Sequence, residues 1–462
     1  MNRGAAFYRN VARLALPILL QNLCTTLLGL IDTFMVGALG EAPLAAVTLA
    51  NVPVFVIQLV IFGLQSGSSV LISQYWGKGD VESINRVMGI GCYVAGAISV
   101  LFALAMGLFP RQLMGMLTDN PALVEIAAGY ARIVGPSYLF NSLTGIYVGA
   151  HRSMGNPRLG LVVFTISMCT NTALNWVLIF GNLGAPRLEV KGAALATLIS
   201  RVVEFAAMAV YAGGNRRFRL RLSCLIRPGR EIVRKFIHYS GPVVFNEGMW
   251  GLGTSLYKVI MGHMEGSTEI LAARALAGNI EDICLVAIFA MAGTTGITVG
   301  REIGSGRDSG TVYQVGAAMD TLALFCGLGI GLVLLAATRL FLAPVVYPLF
   351  RLSENAAGIA TMMLTFTAAA MPLRAFNTTN TVGVLRGGGD VRAAMLIDIL
   401  PLWCVALPLA ALFGLGLRWG IFWVYVGVFM EQAAKLGAGV RRFRSRGWIV
   451  DVTMAGRNEK RN

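Results

Sequence analysis

Leu28-Gly29-Leu30-Ile31-Asp32-Thr33-Phe34-Met35-Val36-Gly37 closes an apolar run that begins near residue 14. One bilayer crossing takes about 20 apolar residues, so this run is long enough to span. It is too long for a signal-peptide core or for a membrane β-strand. Eleven further runs share its character, near 49–75, 87–109, 126–150, 160–181, 192–213, 238–262, 270–299, 313–338, 355–383, 393–413 and 419–440. Lipid-exposed backbone must satisfy its hydrogen bonds within its own segment, so all twelve read as transmembrane α-helices. An even number places both termini on one side of the membrane. The expected organisation is an N-terminal six-helix bundle over 1–213, a basic linker over 214–237, a C-terminal six-helix bundle over 238–440 and a cytoplasmic tail over 441–462.

The composition agrees with an all-α polytopic membrane protein. Apolar residues make up 56% of the chain and charged residues 13%, against about 25% charged in an average soluble domain. A soluble enzyme, a disordered protein and a coiled coil are excluded for the chain as a whole. The 38 basic and 23 acidic residues give a net charge of +15. Most of the basic residues cluster on the side that carries the termini. Arg216, Arg217, Arg219, Arg221, Arg227, Arg230, Arg234 and Lys235 crowd one loop, and Lys435, Arg441, Arg442, Arg444 and Arg446 crowd the C-terminal end. That asymmetry places both termini in the cytoplasm and accounts for the charge without nucleic acid. The seven cysteines show no CxxC spacing and read as small buried hydrophobes, with neither a disulfide framework nor a metal site.

The chain also repeats itself. Gly149-x-x-Arg152-x-x-Gly155-x-x-Arg158 recurs as Gly383-x-x-Arg386-x-x-Gly389-x-x-Arg392. Leu16-Pro17 aligns with Gly241-Pro242, Ala45-Ala46 with Ala272-Ala273, and Gly77-Lys78-Gly79 with Gly304-Ser305-Gly306. Two copies of a six-helix unit follow, with the same orientation in the membrane. Such duplication around a central cavity suits an alternating-access transporter.

Acids inside apolar helices are costly and mark functional sites. Asp32 is the sharpest, with no basic residue within a turn of its own helix. It is positioned to take up and release a proton or, with polar partners, to hold Na⁺. Asn171 and Asn175, four apart and so on one helix face, and Thr197 of the next helix are those partners. The plainer reading is an Asp that only hydrogen-bonds within the bundle. Glu247 is a second acidic candidate, at the repeat position of Asn22, with Lys258 three turns further along its face. Gln21, Asn22, Asn246, Trp250 and Lys258 are candidates to line a substrate cavity. Glu281 with Arg274, and Glu204 with Arg201, read as structural ion pairs. Asp320, Asp398 and Glu431 read as acids near helix ends that reach toward water. Pro17, Pro53, Pro242, Pro372, Pro401 and Pro408 interrupt or bend helices. No GxxxxGK[ST] or HExxH sequence occurs, which argues against a nucleotide-driven pump and a zinc protease.

Several stretches in order resemble the multidrug and toxic compound extrusion (MATE) family. They are Leu16-Pro17-Ile18, Asp32-Thr33-Phe34-Met35-Val36-Gly37, Leu44-Ala45-Ala46, Gln74-Tyr75-Trp76-Gly77-Lys78-Gly79-Asp80, Arg152-Ser153-Met154-Gly155-Asn156-Pro157-Arg158, Asn175-Trp176-Val177-Leu178-Ile179-Phe180-Gly181, Val190-Lys191-Gly192-Ala193-Ala194-Leu195-Ala196-Thr197 and Leu385-Arg386-Gly387-Gly388-Gly389-Asp390. The resemblance implies two pseudo-symmetric six-helix bundles arranged as a V. It implies a monomer, not an enzyme, that exports cationic or amphipathic organic compounds in exchange for inward H⁺ or Na⁺, with no other cofactor. It gives the ion-coupling role to Asp32, with Asn171, Asn175 and Thr197 around it and a possible Na⁺ site at the first three. Some members carry Asp where this chain has Asn175, and another branch uses an acid in the region of Glu247. An alternative is a flippase or exporter of a lipid-linked or polar metabolite on the same superfold, which Lys258, Arg274 and Arg374 would suit. A channel and a membrane-embedded enzyme are further alternatives, and no nucleophile–base pair supports the enzyme.

Overall fold

A computed structural model describes residues 4–215, 218–226, 228–350 and 352–454. Among these residues the long elements are all helices, and the one isolated β-type bridge joins Gly389 to Ile449. In chain order they are α1 (Ala5–Gly37), α2 (Glu41–Lys78), α3 (Val81–Leu108), α4 in two pieces (Pro121–Val134 and Ser137–Ser153), α5 (Arg158–Phe180) and α6 (Glu189–Gly214). The second half holds α7 (Arg230–Gly262), α8 (Ser267–Gly304), α9 (Ser309–Val346), α10 (Glu354–Leu385), α11 (Val391–Gly416) and α12 (Ile421–Arg444). Each of the twelve expected segments falls on one of these helices.

Nine of the described helices are long and apolar enough to cross a membrane, namely α1–α3, α5, α6 and α8–α11. The other three have local reasons for their weaker signal. The Gly135-Pro136 pair divides α4. Glu247 and Lys258 dilute α7, and Glu431 and Lys435 dilute α12. Several helices run past their apolar stretch. The 38 residues of α2 reach about 57 Å, well beyond the roughly 30 Å hydrocarbon core, and Glu41 and Lys78 occupy its polar ends.

The prolines lie where the sequence places them. Pro17, Pro53, Pro242, Pro372 and Pro401 are inside helices. Wider π-type turns run over Thr338–Val346, which contains Pro344, and over Leu402–Ala406, directly after Pro401. Another spans Thr379–Leu385 in α10. A missing proline N–H frees a carbonyl, and a locally widened turn is one way a membrane helix accommodates it.

The internal repeat survives in backbone geometry. Gly155 and Gly389, seven positions into their respective motifs, both adopt positive φ, +82° and +96°, which favours glycine in these turns. The turns before α3 and α9 also match. Asp80 accepts from the Ser83 amide at 2.9 Å and its hydroxyl at 2.7 Å, and Asp308 accepts from the Thr311 amide at 2.8 Å and its hydroxyl at 2.6 Å. Both are helix N-caps.

The chain gathers into two compact units, Leu16–Val244 and Met1–Ala15 with Phe245–Asn462. α1 and α7 change unit beside Pro17 and Pro242, the two prolines that the repeat aligns. Within the first unit α5 packs on α6. Within the second, α10 packs on α8 and α9 around Ala360, Met363, Leu364 and Met371. Glycines allow some of these backbones to approach: a Cβ on Gly331 would lie 2.5 Å from the Ala368 carbonyl oxygen. Large exposed apolar residues such as Phe34, Val210, Phe325 and Leu340 populate the helix surfaces, as lipid-facing side chains do.

Three sequence expectations need correction. Of the cysteines, Cys224 is buried while Cys169, Cys326 and Cys404 are exposed; apolar sequence cannot separate a lipid-facing position from a core position. Lys435 reads from the sequence as one of the cations of the C-terminal end, yet it is buried and ion-paired inside the second unit, as is Arg386 of the second repeat motif. Of the expected tail, residues 445–454 fold back onto the second unit. Trp448 is fully buried, stacks on Phe443 at 5.6 Å and donates its indole N–H to the Phe443 carbonyl at 2.9 Å, while the Val450 amide bonds the Gly388 carbonyl at 2.8 Å. Arg3, Arg216, Arg217, Arg227, Arg351, Arg457, Lys460 and Arg461 lie outside the described residues.

Candidate ion and substrate sites

Asp32 sits five residues before the end of α1 and is half-buried. Asn171 and Asn175 are one turn apart on α5, and both are buried. The spacing predicts a shared face, and the structure turns that face to Asp32. Asn175 Nδ2 donates to Asp32 Oδ1 at 2.6 Å and to Asn171 Oδ1 at 2.9 Å. Asn171 Nδ2 in turn reaches Thr197 Oγ1 on α6 at 3.4 Å and Ser200 Oγ at 3.5 Å. Thr197 returns its own hydroxyl proton to the Ala193 carbonyl at 3.0 Å. The result is a polar chain from α1 through α5 to α6, and it unites the four residues Asp32, Asn171, Asn175 and Thr197.

Two features of this chain are tertiary and were not visible in α1 alone. The Asp32 carboxyl has a hydrogen-bond donor, Asn175, and it feels the charge of Arg201 from α6. Arg201 itself is held by Glu204, as its spacing predicts, with Arg201 Nη1 2.5 Å from Glu204 Oε2. Asn175 Oδ1 is buried without a hydrogen-bond partner. The chain is therefore rich in oxygen donors, which suits a proton or a hard cation. No cluster of three or more His, Cys, Asp or Glu residues suited to a metal is found among the described residues.

Gln21 and Asn22 lie further up α1. Gln21 is buried with Oε1 unpartnered, and it fits because Gly160 of α5 has no side chain: a Cβ there would lie 2.4 Å from that oxygen. Asn22 is half-buried. His151 is buried in an aromatic box, 4.6 Å from Tyr147 and 5.5 Å from Phe218 between ring centres.

In the second unit the acids are paired. Glu247 Oε1 lies 3.0 Å from Arg386 Nη1, the arginine of the second repeat motif, not beside Lys258. Lys258 is exposed. The expected ion pair of Arg274 with Glu281 is present at 2.7 Å, and Arg374 of α10 pairs with the other oxygen of the same carboxylate. Asp398 and Glu431 do not reach for water. Lys435 Nζ of α12 lies between them, 2.6 Å from Asp398 Oδ1 and 2.9 Å from Glu431 Oε1. Asn246 Nδ2 donates to Asp398 Oδ2 at 3.0 Å, and the Tyr257 hydroxyl donates to Glu431 Oε2 at 3.3 Å. Asp320 is likewise buried, accepting from Asn380 Nδ2 at 2.8 Å. These acids were misread because their partners come from helices distant in sequence. The Glu431–Lys435 spacing of four was the one available signal.

A cavity of about 110 Å³ opens within this unit. Trp250, Tyr257, Phe366 and Tyr425 give it aromatic walls, and Arg274, Glu281, Arg374 and Glu431 give it charge. Of the proposed lining residues in this half, Trp250 faces it; Asn246 and Lys258 are not among its lining residues.

Comparison with known proteins covers nearly the whole chain. The MatE family model matches residues 17–177 and 243–412. The uncharacterized transporter YisQ of Bacillus subtilis is 26% identical over 439 residues, 94% of this chain and 93% of its own length. The probable multidrug resistance protein NorM of Bradyrhizobium diazoefficiens is 29% identical over 456 residues, 96% of this chain and 94% of its own. In fold, the MATE transporter VcmN of Vibrio cholerae in its bent form superposes with a TM-score of 0.83 at 21% identity, covering 96% of this chain and 98% of that one.

Proposed function

The chain belongs to the MatE family of membrane transporters, and from that premise we propose that it is a secondary antiporter exporting cationic or amphipathic organic compounds from the cytoplasm. Inward movement of H⁺ or Na⁺ drives it by alternating access. It works as a monomer in the inner membrane with both termini cytoplasmic, and it needs no cofactor beyond the coupling ion. The likeness to NorM proteins supports the drug-export reading.

One observation carries the coupling assignment: Asp32, the acid of α1, is held at 2.6 Å by Asn175, which is itself tied to Asn171. An ionised Asp32 accepts from Asn175 Nδ2. Once its charge is neutralised, that charge-assisted bond weakens. A protonated Asp32 becomes a donor, and the unpartnered Asn175 Oδ1 supplies an acceptor if the amide turns over. For Na⁺, the same reversal presents an amide oxygen beside the carboxylate. Either event exchanges the present α1–α5 hydrogen bond for one of different geometry, and Pro17 gives α1 a place to bend as it does so. Substrate release follows from that rearrangement.

Ethidium transport in everted vesicles, with H⁺ and Na⁺ gradients imposed separately, tests the reading. Transport driven by one of the two gradients is expected. Movement of ethidium indifferent to both gradients would refute antiport. The cavity of the second unit favours a second reading, export of a polar metabolite, because two of its walls are arginines.

A further inference from the structure

The cavity in the second unit has an unequal charge arrangement. Arg274 of α8 and Arg374 of α10 both grip one carboxylate, Glu281. Neither arginine has another acidic ion-pair partner among the described residues. Each reaches Glu281 through Nη1 alone, and Arg274 Nη1 also approaches the Tyr425 hydroxyl at 3.4 Å. Each guanidinium carries five N–H donors in a planar fork, so Nε and Nη2 of both are left for another acceptor. The two arginine side chains stay 30% and 25% exposed while Glu281 is 9% exposed, so the open side of the cluster is the cationic one. The other acid in the wall, Glu431, is taken by Lys435 at 2.9 Å and by Tyr257 at 3.3 Å. Asp282, next in sequence to Glu281, is exposed and does not line the cavity.

The remaining walls are largely aromatic and aliphatic, with Thr254, Thr367 and Gln432 among them. Trp250, Phe366 and Tyr425 flank the arginines, with Phe366 and Tyr425 ring centres 6.1 Å apart. The volume of about 110 Å³ is below the 300–1,000 Å³ or so of a whole drug-binding pocket, so it suits the head of a substrate and not a whole drug.

We propose that this cavity binds the anionic head of an amphipathic substrate, a carboxylate carried on an aromatic ring, with Arg274 and Arg374 as the bidentate receptors and Glu281 as the internal anion it competes with. Planar oxyanions match the guanidinium fork, whereas a ligand ammonium would meet two like charges. The proposal rests on the exporter reading, since it names the substrate class of the same protein. It extends that reading from organic cations to molecules that carry a carboxylate.

The test uses the purified full chain in nanodiscs of neutral lipid, so that no lipid anion competes, with isothermal titration calorimetry as the readout. The probes are 4-aminobenzoate, its uncharged amide and benzylamine. Expected is binding of the carboxylate at least tenfold tighter than of the amide, with benzylamine weaker still. Glu281→Gln removes the internal competitor and is expected to tighten carboxylate binding several-fold. Arg274→Gln and Arg374→Gln combined with Glu281→Gln, which removes both receptors and leaves no unpaired acid, is expected to abolish the preference over the amide. Equal binding of carboxylate and amide, preference for benzylamine, or weaker carboxylate binding by Glu281→Gln would overturn the proposal. Repeating the titration with added phosphatidylglycerol separates a soluble carboxylate from a lipid headgroup: competition by the lipid would assign the site to the lipid anion and overturn the aryl carboxylate. Ethidium transport is measured on the same preparation. Carboxylate binding without gradient-driven transport would refute the antiporter reading and leave this site standing.

Discussion

Asn175 Nδ2 lies 2.6 Å from Asp32 Oδ1, and the same nitrogen lies 2.9 Å from Asn171 Oδ1. One amide thus holds an acid on α1 and a neighbour on its own helix. Asn175→Leu removes the donor and leaves Asp32 without a hydrogen bond, a loss on the order of 1–3 kcal/mol for a buried polar group. The expected result is a lower thermal midpoint in detergent and markedly slower gradient-driven efflux. Asn175→Asp places a second carboxylate beside Asp32, and efflux is expected to become more dependent on Na⁺, measured as the ratio of rates under imposed Na⁺ and H⁺ gradients.

Lys435 bridges Asp398 and Glu431, and all three side chains are largely buried. Lys435→Met leaves two acids without their cation, which costs about 3–5 kcal/mol when one member of a buried pair is lost. Poor recovery from the membrane and early unfolding are expected. The triple variant Lys435→Met, Asp398→Asn, Glu431→Gln removes the charges together and is expected to regain most of the stability, read by the unfolding midpoint.

Gly327 of α9 meets α10 closely: a Cβ there would lie 2.6 Å from Ala375 Cβ and 2.7 Å from the Met371 carbonyl oxygen. Gly327→Val is expected to cost about 1–3 kcal/mol through overpacking. Gly329, with open space around it, should accept Val with little change. Comparing the two variants by thermal unfolding separates packing from helix propensity.

The twelve helices were legible because a span is set by length and apolarity, both local properties. The repeat was legible because G-x-x-R-x-x-G-x-x-R encodes turn geometry, and Gly155 and Gly389 indeed share a positive φ. Asn171 and Asn175 were legible as a pair from their spacing of four. Asn175 was readable as a partner of Asp32; what the sequence of α1 could not reveal was that the charge of Arg201 would reach Asp32 from α6. Glu247 found Arg386, and Asp398 found Lys435, by the same kind of long-range packing. Burial of cysteines was illegible for a different reason, because lipid and protein core select the same side chains.

Asp32 is the acid on which coupling rests, and Asp32→Asn keeps its size while removing its charge. The decisive measurement is ethidium efflux by this variant in proteoliposomes under the driving gradient, alongside ethidium binding and the unfolding midpoint. Loss of gradient-driven efflux by at least tenfold, with folding and binding retained, is the predicted result; efflux at the unaltered rate would contradict the role given to Asp32.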